Sequence, residues 1–316
     1  MRVTSQYEAK VPGVEQPVLD LLPLDGLNAA VVGCDGSLWF VGDGIPKNAN
    51  LAYPARFVSY SGGWIFVGVG RDVLARPLAN PEWKSLASLV RDAGSNHICG
   101  PVDFFQNSEG GVLAFARRNG TITVCSVHTN SFEARTISTS EARSLVTDLR
   151  VVASNAKSDG SASIPMLVAS NALGELWDAR FPESVVVPRM SAAADLWGRI
   201  LSDHFDPVVV HVAGDRRRQT VSLVQILEDR MILCDQRHFS NAVVDTFGRT
   251  GTTGLLWYDD RGLQYADFTS SELNGLGRAT ELLPCKGWPV THMRTVRGGC
   301  WIARSNATIE FLSFDP

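Results

Sequence analysis

Seven times along this chain an apolar run, a short polar turn and a second apolar run follow one another. No other property of the sequence restricts its possible folds so strongly. The copies are residues 29–32 and 38–41 around Asp35-Gly36, 64–69 and 73–75 around Arg71-Asp72, and 112–116 and 121–127 around Asn119-Gly120. They continue as 166–169 and 175–179 around Asn171 and Gly174, 220–227 and 231–234 around Glu228-Asp229, 255–258 and 263–266 around Asp260 to Gly262, and 300–303 and 308–312 around Ser305-Asn306. Short β-rich runs joined by Asp-Gly or Asn-Gly turns predict hairpins, because those residues accept the positive φ that tight turns require. Further apolar stretches precede the hairpins at 56–60, 102–105, 149–153, 208–212, 243–247 and 293–296. From Gly36 to Asn306 the mean period is about 45 residues, the spacing of a β-propeller blade. One such sheet is apolar on both faces and cannot bury them alone, so the units must pack together. The expected fold is all-β, a seven-bladed β-propeller in one domain over residues 1–316, with residues 2–9 supplying the outer strand of the last blade.

Two inserted segments read as short helices. Asn80 suits an N-cap, Pro81 a first helical position and Gly94 a C-terminal stop, with Trp83, Leu86, Ala87 and Val90 on one stripe. A second stripe over 191–202 carries Leu196, Trp197, Ile200 and Leu201. Such stripes usually face their own core. The alternative is that Trp83, Leu86, Val90 and Trp197 grip a partner, since aromatic anchors dominate interfaces. Arg216-Arg217-Arg218, in a polar turn beside Asp215, is either a solvated turn or a docking patch for an acidic partner.

The chain carries net charge −4, which disfavours direct nucleic-acid binding, and its apolar runs are far too short for membrane insertion. Six cysteines lie at 34, 99, 125, 234, 285 and 300 with no pair closer than fifteen positions, so neither a zinc motif nor a disulfide framework is indicated. No apolar block follows the first basic residue, and an intracellular, reducing compartment is expected. Asp203, His204, Asp206 and His211 have metal-binding side chains, but their spacing fits no standard site. Gly68-Val69-Gly70 lacks the third glycine and the helix of a dinucleotide loop. No cofactor, metal or catalytic motif is expected. Asp35-Gly36-Ser37-Leu38-Trp39 loosely echoes the Asp-box turn of propeller glycosidases, and an ordinary hairpin turn accounts for it equally well.

The stretch 167–180, Leu-Val-Ala-Ser-Asn-Ala-Leu-Gly-Glu-Leu-Trp-Asp-Ala-Arg, resembles a WD40 repeat with its small-residue strand, Gly turn and terminal Trp-Asp. Residues 231–237 resemble the same ending with Cys234-Asp235 in place of Trp177-Asp178; the other copies lack the pair, and the Gly-His dipeptide is absent. Within that family the chain is similar to the small single-propeller nucleoporins of the nuclear-pore outer ring, on its fourth and fifth units and on Leu282-Leu283-Pro284 leading into the hairpin of 299–314. That resemblance implies a non-catalytic scaffold docked to a larger helical or propeller subunit, other nucleoporins included, at the nucleus or in the cytoplasm. Two other readings stay open. One is an enzyme or glycan-binding module using a central channel, and the other a reader of peptides or modified tails with walls drawn from Trp39, Trp64, Trp257 and Trp301.

Overall fold

The computed structural model describes residues 2–24, 27–42, 44–91, 98–106, 110–128, 132–142, 144–152, 166–179, 181, 183, 185–187, 197–201, 208–214, 218–227, 230–249, 252–267 and 278–315. Among these, regular structure is β apart from one four-residue helix, and the strands form seven sheets, each built on four antiparallel strands. In chain order the sheets are Asp20–Pro23, Ala29–Val32, Leu38–Val41 and Lys47–Asn48 (sheet 1); Ala55–Ser61, Trp64–Val69, Asp72–Pro77 and Lys84–Ser85 (sheet 2); and Ile98–Gln106, Gly111–Arg117, Thr121–His128 and Glu133–Glu141 (sheet 3). Sheet 4 is Val146–Val152, Met166–Asn171, Leu176–Asp178 and Val185–Val187; sheet 5 is Trp197–Leu201, Val208–Gly214, Arg218–Ile226 and Met231–Ser240. Sheet 6 is Val243–Arg249, Thr252–Asp259, Gly262–Asp267 and Thr280–Pro284. Sheet 7 is Val290–Val296, Gly299–Arg304 and Thr308–Asp315, and its fourth strand is Arg2–Lys10 from the other end of the chain.

By internal contact the chain divides into two compact units, Met1–Tyr60 with Ser240–Pro316, and Ser61–Phe239. In the first unit, alternate residues of sheet 7 feed two separate cores. Trp301, Ala303, Ile309 and Phe311 pack with Leu21, Ala29, Val31 and Val41 of sheet 1, while Cys300, Ile302, Leu312 and Phe314 pack with Leu256, Tyr258 and Leu263 of sheet 6. The second unit repeats the device. Leu167, Ala169, Trp177 and Ala179 of sheet 4 join Ala114, Ala116 and Ile122 of sheet 3, and Met166, Val168 and Leu176 join Ile200, Val209 and Val224 of sheet 5. The period-2 geometry of a strand makes this possible, and it explains why these strands read as unbroken apolar runs. Arg2–Lys10 runs antiparallel to Thr308–Asp315, from Arg2 opposite Asp315 to Lys10 opposite Thr308, with an irregularity between Ser5 and Tyr7. The Tyr7 ring meets Trp301 edge-on at 5.5 Å.

Both helical expectations are corrected. Asn80 caps a local turn, its Oδ1 accepting the Glu82 N–H at 2.9 Å, and the segment then forms the last strand of sheet 2, one helical turn at Leu86–Leu89, and a short strand at Val90–Arg91 that pairs parallel with Ala134 and Arg135 of sheet 3. Residues 92–97, including Gly94, lie outside the described residues. The second stripe is no helix over its described part: Trp197–Leu201 is the first strand of sheet 5, paired from Trp197 opposite Gly214 to Leu201 opposite Val210. Gly198 fits this placement, because a Cβ there would lie 1.9 Å from Ser170 Oγ and 2.9 Å from His211 Nε2. Recruiting that strand moves the fifth unit by one position. Residues 208–214 are its second strand and 231–240 its fourth, so Cys234-Asp235 does not occupy the place that Trp177-Asp178 holds in the third strand of sheet 4.

Candidate functional site: strand-end loops above a first-strand clasp

The first strands of four sheets carry an aspartate flanked by apolar residues or threonine, and three of the four use both carboxylate oxygens in the same way. One oxygen accepts the N–H of the following residue and the other accepts an N–H from the first strand of the next sheet. Asp20 takes Leu21 N at 2.9 Å and Val58 N at 3.1 Å; Asp148 takes Leu149 N at 2.8 Å and Ile200 N at 2.7 Å; Asp245 takes Thr246 N at 3.0 Å and Thr295 N at 2.8 Å. Asp103 accepts Val151 N at 2.7 Å and pairs with Arg150 at 3.2 Å, while Arg294 approaches Asp20 at 3.6 Å. Hydroxyls reinforce the join, with Thr147 donating to Gly198 O at 2.7 Å, Ser61 to Phe104 O and Thr295 to Thr246 O. Desolvation at the clasp holds the Asp148 carboxyl above the usual carboxylate range, against the pull of Arg150 and Arg199. This arrangement is a set of mechanical joints, since each carboxylate already accepts from backbone and, at Asp103, from Arg150 as well.

The clasp fixes the loops that enter each first strand. Four of the large apolar side chains exposed among the described residues sit in those loops: Leu19 (50% exposed), Tyr53 (68%), Leu145 (71%) and Trp288 (61%). Each loop is tied to the turn between the second and third strands of a sheet, so all four residues lie at the same end of their own sheets. Leu145 O accepts Ala172 N at 2.9 Å, and Ala55 N donates to Gly36 O at 2.8 Å. At Trp288 the tie is a buried arginine: Arg304 donates to Lys286 O and Trp288 O, both at 2.8 Å, and is itself held by Glu310 at 2.9 Å. An exposed indole on a loop braced in this way can bind with little further ordering.

The residues read from the sequence as partner-binding fall into two places. Trp83, Leu86 and Val90 share the segment after sheet 2, where Leu86 and Val90 are core residues and Trp83 is half-buried under the Arg76 guanidinium, 4.7 Å from its ring centroid. Arg76 in turn donates to Asn80 O at 2.6 Å, so Trp83 takes part in a local brace. Arg218 is exposed at the start of the third strand of sheet 5, at the end of that sheet where the backbone of Trp197 begins the first strand; the Trp197 side chain, Arg216 and Arg217 lie outside the described residues. Of the tryptophans considered as cage walls, Trp257 and Trp301 are buried and Trp64 stacks on Phe132 at 3.9 Å. Trp39 donates to Ser37 Oγ at 2.8 Å, which donates to Asp35 Oδ1 at 2.6 Å, so the Asp-box echo is a hydrogen-bonded hairpin turn with Gly36 at φ 79°. Asn119 and Asn306 cap their turns by accepting from Thr121 and Thr308.

His211 and Ser170, joined at 2.8 Å between Nε2 and Oγ, are the nearest approach to a nucleophile and base among the described residues, and both are fully buried. No cluster of three metal-ligating side chains occurs among those residues; Asp203, His204 and Asp206 lie outside them. Burial pulls the His211 imidazole down to about 3, so the folded protein holds it neutral. The stabilisation this provides is complete above the unfolded value near 6.5 and is lost as pH falls from there toward the folded value, at about 1.4 kcal/mol per unit. Asp148 acts in the opposite sense, so a comparison isolates the histidine. Denaturant unfolding of wild type and His211→Gln should show wild type losing about 2 kcal/mol more between about pH 7 and pH 5. Parallel pH profiles would refute the assignment.

No family model matches the chain, and no curated protein matches its sequence. Solved structures match over nearly its whole length. The WD40 beta propeller domain of Doa1 is 16% identical with a TM-score of 0.61, covering 99% of this chain and 97% of that one. A chain in the crystal structure of the Mitotic Checkpoint Complex is 14% identical with a TM-score of 0.62, covering 99% and 95%. BamB from Moraxella catarrhalis is 9% identical with a TM-score of 0.53, covering 100% and 98%. At these identities the likeness concerns fold. Together with the seven sheets it shows a seven-bladed, WD40-like β-propeller.

Proposed function

We propose that this propeller is a non-catalytic adaptor that docks a larger protein subunit through the loops entering the first strands of sheets 1, 2 and 7. The observation that carries this reading is the exposure of Leu19, Tyr53 and Trp288, all in the unit Met1–Tyr60 with Ser240–Pro316, on loops braced by backbone and arginine hydrogen bonds. Apolar side chains at that exposure cost little in the free protein and gain most when a partner covers them. The sealing of Ser170 and His211 supports the non-catalytic part, because no substrate reaches a fully buried pair. The presence of one structural neighbour within a checkpoint assembly accords with a role in protein complexes.

Trp288→Ala combined with Tyr53→Ala should leave the unfolding transition within about 1 kcal/mol of wild type, since both side chains are solvent-exposed, and should abolish stoichiometric recovery of the partner in mild-salt affinity purification. Undiminished partner recovery by the folded double variant would refute the assignment of these loops. The resemblance in the fourth unit and at Leu282-Leu283-Pro284 supports a place in the nuclear-pore outer ring, with nucleoporins as partners, and it rests on sequence alone. A tagged chain should then mark the nuclear rim; a diffuse cytoplasmic signal would remove the nuclear-pore reading and leave the adaptor reading standing.

A further inference from the structure

An outermost strand leaves one row of backbone N–H and C=O groups unpaired, and proteins usually blunt such edges by shortening, charging or covering them. Six of the seven sheets here show one of these devices among the described residues. The outer strands of sheets 1, 2 and 4 are only Lys47–Asn48, Lys84–Ser85 and Val185–Val187, and that of sheet 6 ends at Pro284. The outer strand of sheet 3 gains a fifth, parallel strand from Val90–Arg91 opposite Ala134 and Arg135, beyond which it exposes Ile137 (62%), and that of sheet 7 carries Glu8 and Lys10 with no large apolar side chain strongly exposed. Sheet 5 differs. Its outer strand, Met231–Ser240, is ten residues long, no described residue pairs with its outer side, and it exposes Ile232 (38%) and Leu233 (36%).

The inner side of that strand is held to its neighbour: Gln236 Nε2 donates to Ser222 Oγ at 3.0 Å and His238 Nδ1 meets Thr220 Oγ1 at 2.9 Å. Its two charges, Asp235 and Arg237, lie on one face and touch each other at 3.2 Å. We propose that residues 231–239 pair antiparallel with the same strand of a second copy of this chain, about a two-fold axis through Gln236. The sequence is self-complementary in that register and in no neighbouring one. With Gln236 opposite Gln236 of the second copy, Asp235 faces Arg237, Leu233 faces Phe239 and Cys234 faces His238, each twice by symmetry. Moving the axis to Asp235 or to Arg237 sets like charges directly opposite each other. Moving it by half a step sets residues of opposite pleat against one another, which an antiparallel ladder does not allow. Each intrastrand Asp235–Arg237 contact becomes part of a four-charge cluster, and both copies cover Leu233.

This inference is independent of the adaptor reading and is tested on the purified chain with no partner present. Sedimentation equilibrium should give twice the 34.3 kDa chain mass at high concentration. Asp235→Arg and Arg237→Asp, each alone, should weaken association by about tenfold or more, because two like-charged pairs then meet across the axis. Combining the two exchanges restores opposite charges in the same register and should restore the dimer. Gln236→Cys lies opposite itself, so mild oxidation should give a cross-linked dimer well above the background from Cys34, Cys234 and Cys285, which are not buried in the parent. A parent chain that stays monomeric, a dimer indifferent to the single exchanges, a double exchange that fails to restore association, or a Gln236→Cys chain that cross-links no more than the parent would each overturn the proposal.

Discussion

A chain lacking residues 2–10 is expected to lose stability on the order of 5 kcal/mol or more, comparable with the whole stability of many domains. Strand Arg2–Lys10 pairs along the entire length of Thr308–Asp315. It covers the backbone edge of that strand, bonds Thr4 Oγ1 to Ser313 Oγ at 2.7 Å, and lays Tyr7 against the buried Trp301. Without it the outer side of Thr308–Asp315 meets water, and Ile309 and Phe311, both in the core shared with sheet 1, lose their cover. Chain order does not cancel the effect. The strand lies about three hundred residues from its partner in sequence, and because closure entropy grows only slowly with loop length, tying the two chain ends offsets little of the gain. A synthetic peptide of residues 1–11 added in excess should restore much of the loss, because it re-forms the same ladder without the covalent link. Thermal or denaturant unfolding of full-length, truncated and peptide-complemented chains reads all three states. A truncated chain as stable as the parent would show that sheet 7 does not depend on its fourth strand.

What could be read from the sequence was local. Six of the seven hairpins lie on the second and third strands of sheets, because their turns are self-contained: Asp35 accepts the Ser37 N–H, Asn119 that of Thr121, Asn171 those of Leu173 and Glu175. Turn chemistry of this kind is written within four or five residues. The fifth unit was read one strand late because Trp197–Leu201 has an apolar spacing that satisfies a helix as well as a strand buried on both faces. Only its pairing with Val208–Gly214 decides between them. The short helix at Leu86–Leu89 failed to extend for a similar reason, since Val90 and Arg91 find backbone partners in sheet 3. Non-local partners also account for the failure of the surface reading of Leu86 and Val90, both buried.

The clasp was missed although it left a trace. Leu19-Asp20-Leu21, Val102-Asp103-Phe104, Thr147-Asp148-Leu149 and Val244-Asp245-Thr246 each place an aspartate inside a strand-like run, where an unpaired carboxylate would be costly. Recurrence of that oddity at the head of four units is a signal that each carboxylate has a fixed set of donors. Their identity cannot be read from sequence, because Asp20 reaches Val58 and Asp103 reaches Val151 across whole sheets. The exposed Trp288 is similar: nothing near it in sequence announces that Arg304 braces its loop.

Asp103→Ala should destabilise the chain by about 3–5 kcal/mol, the second of the two largest effects expected here. The side chain is almost fully buried, and its removal takes the acceptor from two donors at once, the backbone N–H of Val151 and the guanidinium of Arg150. Asparagine should recover less than half of the loss. An amide has a single acceptor oxygen, so whichever donor it satisfies, its NH2 group faces the other. The same geometry explains why the clasp uses aspartate at all, for at Asp20, Asp148 and Asp245 both oxygens accept backbone N–H groups. Arg150→Met in the wild-type and Asp103→Ala backgrounds completes a double-mutant cycle that separates the ion pair from the backbone bond. A large coupling energy would assign most of the loss to Arg150, and a small one to the bond from the Val151 N–H. Asp103→Asn within about 0.5 kcal/mol of wild type would mean that one acceptor suffices, and the two-oxygen account of the joint would be wrong.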